Sequence, residues 1–334
     1  MHITSRETSV LFPSYGRYVA ERDVWRVAIQ GAMLTDAPLS IGKRFLLRLL
    51  QRWIDDPAAV LANPVFHTRT RYFLAKPLKK KRVQVVIGSR LVTLQKKTNK
   101  NGLFQAHVEL PRRWVEQHSV ENALRLRTSG SEIDEAHTIQ LVPPHGVSVV
   151  SDIDDTIKHT DVASRRELLA NTFLRPFQSI PGMAERYQQW ESAGAQFHYV
   201  SASPWQLADE LELFRHREGF PTGTMHLRAF RMREHMVRRL LRLPPAAKYT
   251  AIANLLRAFP FRRFVLIGDS GEYDPEIYGK LARRFPSQIA SIFVRELHRK
   301  PIDARRAQKA FRRLPIGLAR MYEVPAELPM SLPE

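Results

Sequence analysis

The stretch VSVVSDIDDT, residues 147–156, decides the fold of the second half of the chain. Residues 147–150 are a short apolar run typical of a buried strand, and acidic residues follow this run directly. Similar apolar runs occur at 197–200, 264–267 and 289–294. Helical patterns lie between them, such as residues 248–259, whose apolar side chains recur on one face. Strands alternating with helices predict a parallel α/β sheet.

The carboxylates after the first strand are the first candidates for chemistry, because ligands of parallel α/β sheets lie beyond the carboxyl ends of the strands. Asp152 stands at the strand tip, where a carboxylate can attack phosphorus and form an aspartyl-phosphate. Asp154, two residues on, reaches the same side and can give a proton to the leaving oxygen, then take one from water. Because carboxylates repel phosphate, this chemistry needs a hard cation such as Mg²⁺.

The alternative reading of this loop is an acidic turn or a calcium loop. An EF-hand is excluded, because Ile157 stands where that motif requires glycine and Ala163 where it requires glutamate.

Two further stretches supply candidate phosphate ligands. Ser201 and Ser203 follow the second strand, where a hydroxyl and the nearby N–H groups could hold a phosphoryl oxygen. The alternative is a turn that caps a helix starting at Pro204. Lys248 opens a helix and would neutralise charge in the transition state if it points to the phosphate. The alternative for Lys248 is an ordinary solvated surface residue.

The third strand leads into GDSGEYD, residues 268–274. Asp269 and Asp274 on this loop form the other half of an oxygen-only metal site. The competing serine-hydrolase motif G-x-S-x-G is excluded, because Glu272 stands where the last glycine should be. The sequence contains no Walker A motif and no HExxH motif.

Taken in order, these four signals resemble the four motifs of the haloacid dehalogenase superfamily of phosphatases. The stretches between and around the motifs are similar to the catalytic domain of the actin-patch-protein type of phosphatidate phosphatase, and this resemblance covers about residues 147–295. The stretches that carry it are SDIDDTIKHTDV (151–162), IPGMAERYQQW (180–190), FHYVSASPWQL (197–207), FPTGTMHLRAF (220–230) and FVLIGDSGEYDPEIY (264–278).

The resemblance implies a Rossmann-like parallel sheet with small inserts and a role for each motif residue. Catalysis would fall to Asp152 as nucleophile, Asp154 as general acid and base, and Lys248 as the stabilising cation. Substrate binding would fall to Thr156, which holds the loop, and to Ser201 or Ser203. The Mg²⁺ ligands would be Asp152, the backbone carbonyl of Asp154, Asp269 and Asp274.

The first half of the chain has a different sequence pattern, with short β-type runs and a turn signal, TNKNG, at 98–102. The β-type runs are 24–31, 82–95, 103–110, 123–129 and 137–142. Residues 41–54 have helical spacing. We therefore expect a β-rich, sandwich-like domain with a helical insertion over 1–145, a phosphatase domain over 146–310 and a C-terminal tail over 311–334.

Composition points to an anionic partner. The chain has 334 residues, with 52 Lys+Arg against 33 Asp+Glu, which gives a net charge of +19. Lipid head groups, nucleic acid and phosphorylated substrates all fit this charge, and a basic protein that is merely soluble is the alternative. The absence of cysteine excludes disulfides and thiolate chemistry. Neither a signal peptide nor an apolar membrane span is evident, so we expect a cytoplasmic protein that binds membranes peripherally.

Positive charge concentrates in two segments. The first segment contains Arg228, Arg231, Arg233, Arg238, Arg239 and Arg242, and the second contains Lys76, Lys79, Lys80, Lys81 and Arg82. The arginine segment lies between Ser201 and Lys248, so we expect it to return to the catalytic end of the sheet and rest on an anionic bilayer. The inserts are too short for a large cap domain, which predicts a shallow, open entrance.

The residues and the superfamily resemblance predict a Mg²⁺-dependent phosphatase, and the narrower resemblance implies that it converts phosphatidate to diacylglycerol. Two alternatives stay open. One is a phosphatase for nucleic-acid ends or for a soluble phosphoester, with nucleic acid the less favoured partner. The other is a non-enzymatic module that binds anionic membranes.

Overall fold

The computed structural model describes residues 7–35, 60, 62–129, 137–162, 164–228, 245–299 and 301–333. The chain divides into two compact units. The first contains Met1–Lys43, Arg71–Pro144 and Gly223–Met225, and the second contains Arg44–Thr70, His145–Thr222 and His226–Glu334. The domain boundaries expected at 145/146 and 310/311 stay predictions.

Fifteen strands and eight helices are numbered here in chain order within the described residues. The strands are β1 Glu7–Leu11, β2 Ser14–Val19, β3 Val24–Thr35, β4 Lys76–Pro77, β5 Gln84–Ile87, β6 Arg90–Thr93, β7 Leu103–Pro111, β8 Ala123–Thr128, β9 His137–Val142, β10 Val147–Ser151, β11 Gln196–Pro204, β12 Gly223–Arg228, β13 Arg263–Asp269, β14 Ile289–Arg295 and β15 Ala319–Tyr322. The helices are α1 Pro64–Leu74, α2 Arg112–His118, α3 Arg165–Phe173, α4 Met183–Ser192, α5 Ala208–Arg217, α6 Pro245–Ala258, α7 Asp274–Arg284 and α8 Ala304–Phe311.

The β-rich first half is confirmed, and each of the five β-type runs contains at least one strand. The nine strands β1–β9 form one sheet, in the order β1-β3-β2-β9-β8-β5-β6, with β4 and β7 also paired to β3. The long strand β3 joins β1, β2, β4 and β7 into this sheet by pairing with each of them along its length. The sandwich-like arrangement expected for these strands stays a prediction. The helix expected at 41–54 lies outside the described residues.

The α/β character of the second half is also confirmed. Six strands form a sheet in the order β12-β11-β10-β13-β14-β15. The pairings β10–β11, β10–β13, β13–β14 and β14–β15 are all parallel. Strands β10 and β13 are buried along almost their whole length, as expected where helices cover both faces of a parallel sheet. Their carboxyl ends therefore meet at one edge of the sheet.

Helix positions follow the sequence patterns with one correction. The pattern at 248–259 becomes α6, Pro245–Ala258, which buries Ile252, Leu255 and Leu256. Gly182 adopts a φ of 85°, a left-handed conformation that favours glycine, and α4 begins at the next residue. The helix expected to start at Pro204 begins instead at Ala208, because β11 extends through Pro204 and a short turn, Trp205–Leu207, follows it.

Two strands of the second sheet were not expected, β12 and β15. Strand β15 pairs in parallel with β14, so part of the segment 311–334 contributes to the sheet. Of the helices in the described part of the chain, none is both long and apolar enough to cross a membrane.

Candidate active site

The candidate residues come together because three adjacent parallel strands end side by side. Strand β10 pairs with β11 on one side and β13 on the other, with Ser151 in register with both Tyr199 and Ile267. The backbone N–H of Asp152 continues this pairing by donating to the carbonyl of Ile267 at 2.9 Å. Asp269 is the last residue of β13, so it lies at the same edge.

Asp152 is buried and is bound on both carboxylate oxygens. Its Oδ1 accepts from Lys248 Nζ at 2.7 Å, and its Oδ2 accepts from Thr156 Oγ1 at 3.3 Å. Burial raises the pKa of Asp152 well above its ordinary value, the Lys248 charge opposes this rise, and Asp274 adds to it. Thr156 thus ties the loop to the carboxylate four residues before it, and the role that the resemblance implies for Thr156 stays a prediction.

Lys248 is buried rather than solvated, although lysine is almost always at the surface. Helix α6 directs its ammonium group to Asp152, and the same group also pairs with Asp274 Oδ1. Burial alone would lower the pKa of Lys248, but Asp152 and Asp274 outweigh it, so this pKa is raised and the side chain is charged.

Asp269 and Asp274, the two carboxylates of the acidic loop after β13, each accept two hydrogen bonds. Asp269 Oδ1 accepts from the backbone N–H groups of Gly271 at 2.6 Å and Glu272 at 3.1 Å. Asp274 Oδ2 accepts from the N–H of Asp269 and from the Tyr278 hydroxyl, both at 3.3 Å. Burial, followed by the charges of Asp274 and Asp152, raises the pKa of Asp269 well above its ordinary value.

Three buried carboxylates, two at strand ends and one at the start of helix α7, form a cluster suited to a cation. Asp152, Asp269 and Asp274 each offer an oxygen atom, and these atoms lie within 4.8 Å of one another. Within the described part of the chain, Asp269 Oδ2 is buried and has no hydrogen-bond partner. An oxygen-only donor set with one unsatisfied carboxylate oxygen matches the ligand preference of Mg²⁺. Lys248 supplies a single positive charge against the three acids, so the cluster fits a divalent cation.

Asp154 lies outside this cluster, in a separate ring of donors. Its Oδ1 accepts from Lys158 Nζ and Thr160 Oγ1, both at 2.8 Å. Its Oδ2 accepts from the hydroxyls of Ser201 and Ser203, both at 2.9 Å. Burial would raise the pKa of Asp154, but the charge and hydrogen bond of Lys158 and the hydroxyl donors outweigh burial and lower this pKa to about 2.

The two serines therefore hold the carboxylate of Asp154 as well as each other. Ser201 Oγ also accepts from the backbone N–H of Ser203 at 2.8 Å, so the pair forms one local unit at the end of β11. Which of the two would bind a phosphoryl oxygen stays open.

Asp155 shapes the loop that carries these donors. Its φ of 55° is left-handed, and its carboxylate accepts from the backbone N–H groups of residues 160, 161 and 162 at 2.7–2.8 Å. These bonds turn the loop back on itself and return Lys158 and Thr160 to Asp154. No role for Asp155 was evident from the sequence; in the structure this residue folds the loop.

Three site residues were missed by the sequence analysis. Lys158, four residues after Asp154, cannot be distinguished in the sequence from the many other basic residues of the chain. Glu272 served in the sequence only to exclude a serine-hydrolase motif. In the structure, burial raises the pKa of Glu272 to about 7, although the charge of Lys248 acts to lower it. Arg306 has no sequence signal, because it donates to backbone carbonyls of the acidic loop: to Ser270 O at 2.7 Å and to Glu272 O.

The charged segments expected to meet a membrane are only partly described. Arg231, Arg233, Arg238, Arg239 and Arg242 lie outside the described residues, and the open entrance therefore stays a prediction. In the lysine segment, Lys81 pairs with Glu7 at 2.6 Å, whereas Lys79, Lys80 and Arg82 are exposed.

Residues 147–296 match the family model described as phosphatidate phosphatase APP1, catalytic domain. The chain is 37% identical over 167 residues to phosphatidate phosphatase APP1 of Saccharomyces cerevisiae, a match that covers 49% of this chain and 28% of the yeast protein. It is 33% identical over 185 residues to an uncharacterized protein of Schizosaccharomyces pombe, covering 54% of this chain and 30% of that protein. The matches thus span less than a third of each relative's length.

Solved structures add nothing to this relationship. A carbohydrate esterase shares 10% identity over 91% of this chain and 96% of its own, with a TM-score of 0.24. A Plasmodium falciparum ferredoxin-NADP⁺ reductase shares 7% identity over 87% of this chain and 98% of its own, with a TM-score of 0.20. Such scores carry no argument about fold or function.

Proposed function

We propose that this chain is a Mg²⁺-dependent phosphomonoesterase that hydrolyses phosphatidate to diacylglycerol and phosphate through an aspartyl-phosphate. One observation carries the reaction type: Lys248 and the carboxylates of Asp152, Asp269 and Asp274 converge at the end of a parallel sheet. The match of residues 147–296 to the catalytic domain of a phosphatidate phosphatase supports a phosphoric monoester hydrolase and this substrate.

The proposed fold is that of the haloacid dehalogenase superfamily. The strand order β12-β11-β10-β13-β14-β15, parallel from β11 to β15, supports it, since the strand β10 that precedes the proposed nucleophile lies between the strands that carry the serines and the acidic loop. Such placement gives all four motifs one common edge.

Asp152 is the proposed nucleophile. One of its carboxylate oxygens attacks phosphorus, a P–O bond to Asp152 forms, and the bond from phosphorus to the glycerol oxygen breaks. Bound Mg²⁺, held by Asp152, Asp269, Asp274 and the backbone carbonyl of Asp154, would screen the negative charges of carboxylate and phosphate from each other. The bond from Thr156 to Oδ2 orients the carboxylate for this attack.

Lys248 supplies the positive charge that the transferring phosphoryl group needs. Its ammonium group already lies against Asp152, so a phosphate bound there meets a preorganised cation. The second carboxylate partner, Asp274, fixes the ammonium group from the other side. No movement of helix α6 is required.

Asp154 transfers the protons. In the free site its pKa of about 2 leaves Asp154 ionised. The negative charge of a bound phosphate raises this pKa, so Asp154 takes up a proton as the substrate binds. It then protonates the leaving glycerol oxygen as the first P–O bond breaks, and it later takes a proton from the water that attacks the aspartyl-phosphate. The hydroxyls of Ser201 and Ser203 at Oδ2 mark the position from which a leaving-group oxygen or a water would approach.

A phosphate-release panel tests this function. The substrates are phosphatidate in mixed micelles, lysophosphatidate, 3′- and 5′-phosphorylated DNA and small sugar phosphates, each with Mg²⁺ or with EDTA. Phosphatidate should be the best substrate, and EDTA should stop release. A preference for a DNA end or a sugar phosphate would show that phosphatidate is not the substrate, and the proposed mechanism would be unaffected.

The matched control is Asp152→Asn, which changes one atom of the proposed nucleophile. It should abolish turnover while the protein stays folded. If this variant keeps normal phosphatase activity, the mechanism is wrong. If the wild-type protein releases no phosphate from any substrate yet binds anionic vesicles, the chain is a binding module.

The proposed location is the cytoplasmic surface of a membrane, reached through basic segments. The net charge of +19 supports attraction to anionic lipid.

A further inference from the structure

Lys158 is a fully buried lysine that the reaction described so far does not use. Its relative exposure is 1%, and its ammonium group lies 2.8 Å from Asp154 Oδ1 and also donates to Thr160 Oγ1. The ring of Phe177 closes the remaining side, with its centroid 4.7 Å from the ammonium nitrogen. A lysine without a partner would not be stable here, and its only carboxylate partner among the described residues is Asp154.

The backbone around Lys158 is fixed as firmly as its side chain. Its N–H donates to Ile153 O at 3.0 Å, and its carbonyl accepts from the N–H of Asp155 at 2.7 Å. The carboxylate of Asp155 in turn accepts hydrogen bonds from the backbone N–H groups of residues 160–162. The loop is therefore built to return a lysine to the carboxylate four residues before it.

These contacts make the two oxygens of Asp154 unequal. Oδ1 is enclosed between Lys158 and Thr160, both of which are fully buried. Oδ2 meets Ser201 and the partly exposed Ser203. A serine hydroxyl rotates to another acceptor at little cost, whereas a buried ammonium group cannot give up its carboxylate. Only Oδ2 is thus available to an incoming oxygen.

We propose that Lys158 is a positioning residue for proton transfer, which holds Asp154 by Oδ1 so that Oδ2 alone faces the leaving group. This inference rests on the proposed phosphatase function. The negative charge of the bound phosphate favours a proton on Oδ2, taken up from solvent as the substrate binds. In the first step this proton passes to the glycerol oxygen as the bond from phosphorus to that oxygen breaks. The carboxylate left behind faces the ammonium group of Lys158, which stabilises it until water returns a proton to Oδ2.

Leaving groups of different basicity test this role. Release of p-nitrophenolate needs no proton, whereas release of an alkoxide does, so only an alkyl phosphate depends on Asp154 in the first step. The experiment compares kcat/KM of wild type and Lys158→Met for p-nitrophenyl phosphate and for a short-chain phosphatidate, because kcat/KM reports the step up to aspartyl-phosphate formation. We expect the alkyl substrate to lose about tenfold or more beyond the loss on the aryl substrate.

Two further variants keep the test decisive. Thr160→Val removes one donor to Oδ1 without leaving a charge unpaired, so it should stay folded and shift the alkyl-to-aryl ratio in the same direction by a smaller factor. Lys81→Met is the control, since it also deletes an ion-paired lysine, here the partner of Glu7. It should leave the ratio unchanged.

Equal losses on both substrates in Lys158→Met, with an unchanged ratio in Thr160→Val, would overturn the inference and assign Lys158 to stability alone. A failure of the proposed function would be visible separately. In that case wild type itself would release no phosphate from either substrate, or Asp152→Asn would be as active as wild type.

Discussion

The ammonium group of Lys248 lies 2.7 Å from Asp152 Oδ1 and pairs at the same time with Asp274. One cation from helix α6 therefore joins the carboxylate after β10 to the carboxylate at the start of α7. All three side chains are almost completely buried. The energetic consequence is that the ion pairs stabilise the metal-free protein, while the third acid, Asp269, destabilises it until a cation binds.

Replacing Lys248 by methionine should remove both functions of this residue. Two buried carboxylates would lose their partner, and the free energy of unfolding of the metal-free protein should fall by about 3–5 kcal/mol. The kcat/KM for phosphatidate should fall by about 10²–10³. Chemical denaturation and phosphate release measure the two effects. Lys97→Met, a change at an exposed lysine, is the control and should alter stability by less than about 0.5 kcal/mol. A Lys248→Met protein as stable as wild type would contradict the ion-pair account.

Replacing Asp269 by asparagine should stabilise the metal-free protein. The change removes one of three clustered acids, so the melting temperature in EDTA should rise by ~2–4 °C, or about 1 kcal/mol. The same variant should lose the increase in melting temperature that Mg²⁺ gives wild type, because an Mg²⁺ ligand is missing. Thermal unfolding with and without Mg²⁺ checks both. Glu185→Gln, at an exposed position, should keep the wild-type response to Mg²⁺. If Asp269→Asn still responds to Mg²⁺ like wild type, the metal site lies elsewhere.

The pKa of Glu272, raised by burial from 4.5 to about 7, predicts a pH dependence of stability. An acid with a raised folded-state pKa binds its proton more tightly in the folded protein than in the unfolded chain. Its contribution to stability is therefore complete at low pH and is lost as the pH rises from about 4.5 to about 7. The loss should be about 1–3 kcal/mol.

Denaturation of the metal-free protein between these two pH values measures the slope. Glu272→Gln cannot titrate and should reduce the slope relative to wild type. The raised pKa values of Asp152 and Asp269 act in the same direction and leave a smaller residual slope in the variant. An identical slope in both proteins would mean that Glu272 titrates normally.

Gly268 keeps the acidic loop close to its own strand. A methyl group at this position would collide with the carboxylate of Asp274 and would lie 2.6 Å from the Tyr278 hydroxyl. Gly268→Ala should therefore displace Asp274 and lower kcat/KM by about 10². Gly194→Ala is the control: its φ of 90° makes alanine costly for stability, but nothing lies within 4 Å of the added methyl group. A Gly268→Ala enzyme with wild-type kcat/KM would show that the position of Asp274 is not critical.

The sequence was sufficient to predict which side chains meet at the strand ends because of where these residues stand in it. Asp152 and Asp269 follow apolar runs directly, and parallel strands must end at one edge, so their proximity follows from local patterns. Lys248 needed one further condition, that α6 face the sheet edge, which its apolar side indicated.

The remaining contacts depend on information that local patterns lack. Lys158 reaches Asp154 only because Asp155 adopts a left-handed φ, and Arg306 recognises backbone carbonyls, which have no side-chain signature. Strand β15 was missed because its residues, ARMY, are mostly polar or half-exposed at the sheet edge. The single sheet of the first unit depends on the pairing of β2 with the distant β9.

The charge of the arginine segment should attract the protein to anionic membranes. Arg231, Arg233, Arg238 and Arg239 lie outside the described residues, but near an anionic bilayer the charge of each basic residue contributes about 1 kcal/mol. Reversing all four to glutamate should weaken binding to phosphatidate vesicles by at least about tenfold and raise the apparent surface KM. Hydrolysis of p-nitrophenyl phosphate should stay close to wild type. Reversing Lys76, Lys79, Lys80 and Arg82 changes the net charge equally, so it is the matched control and should weaken vesicle binding less. Equal effects of the two reversals would assign the attraction to net charge, and equal loss on both substrates would assign the arginines to the fold or the chemistry.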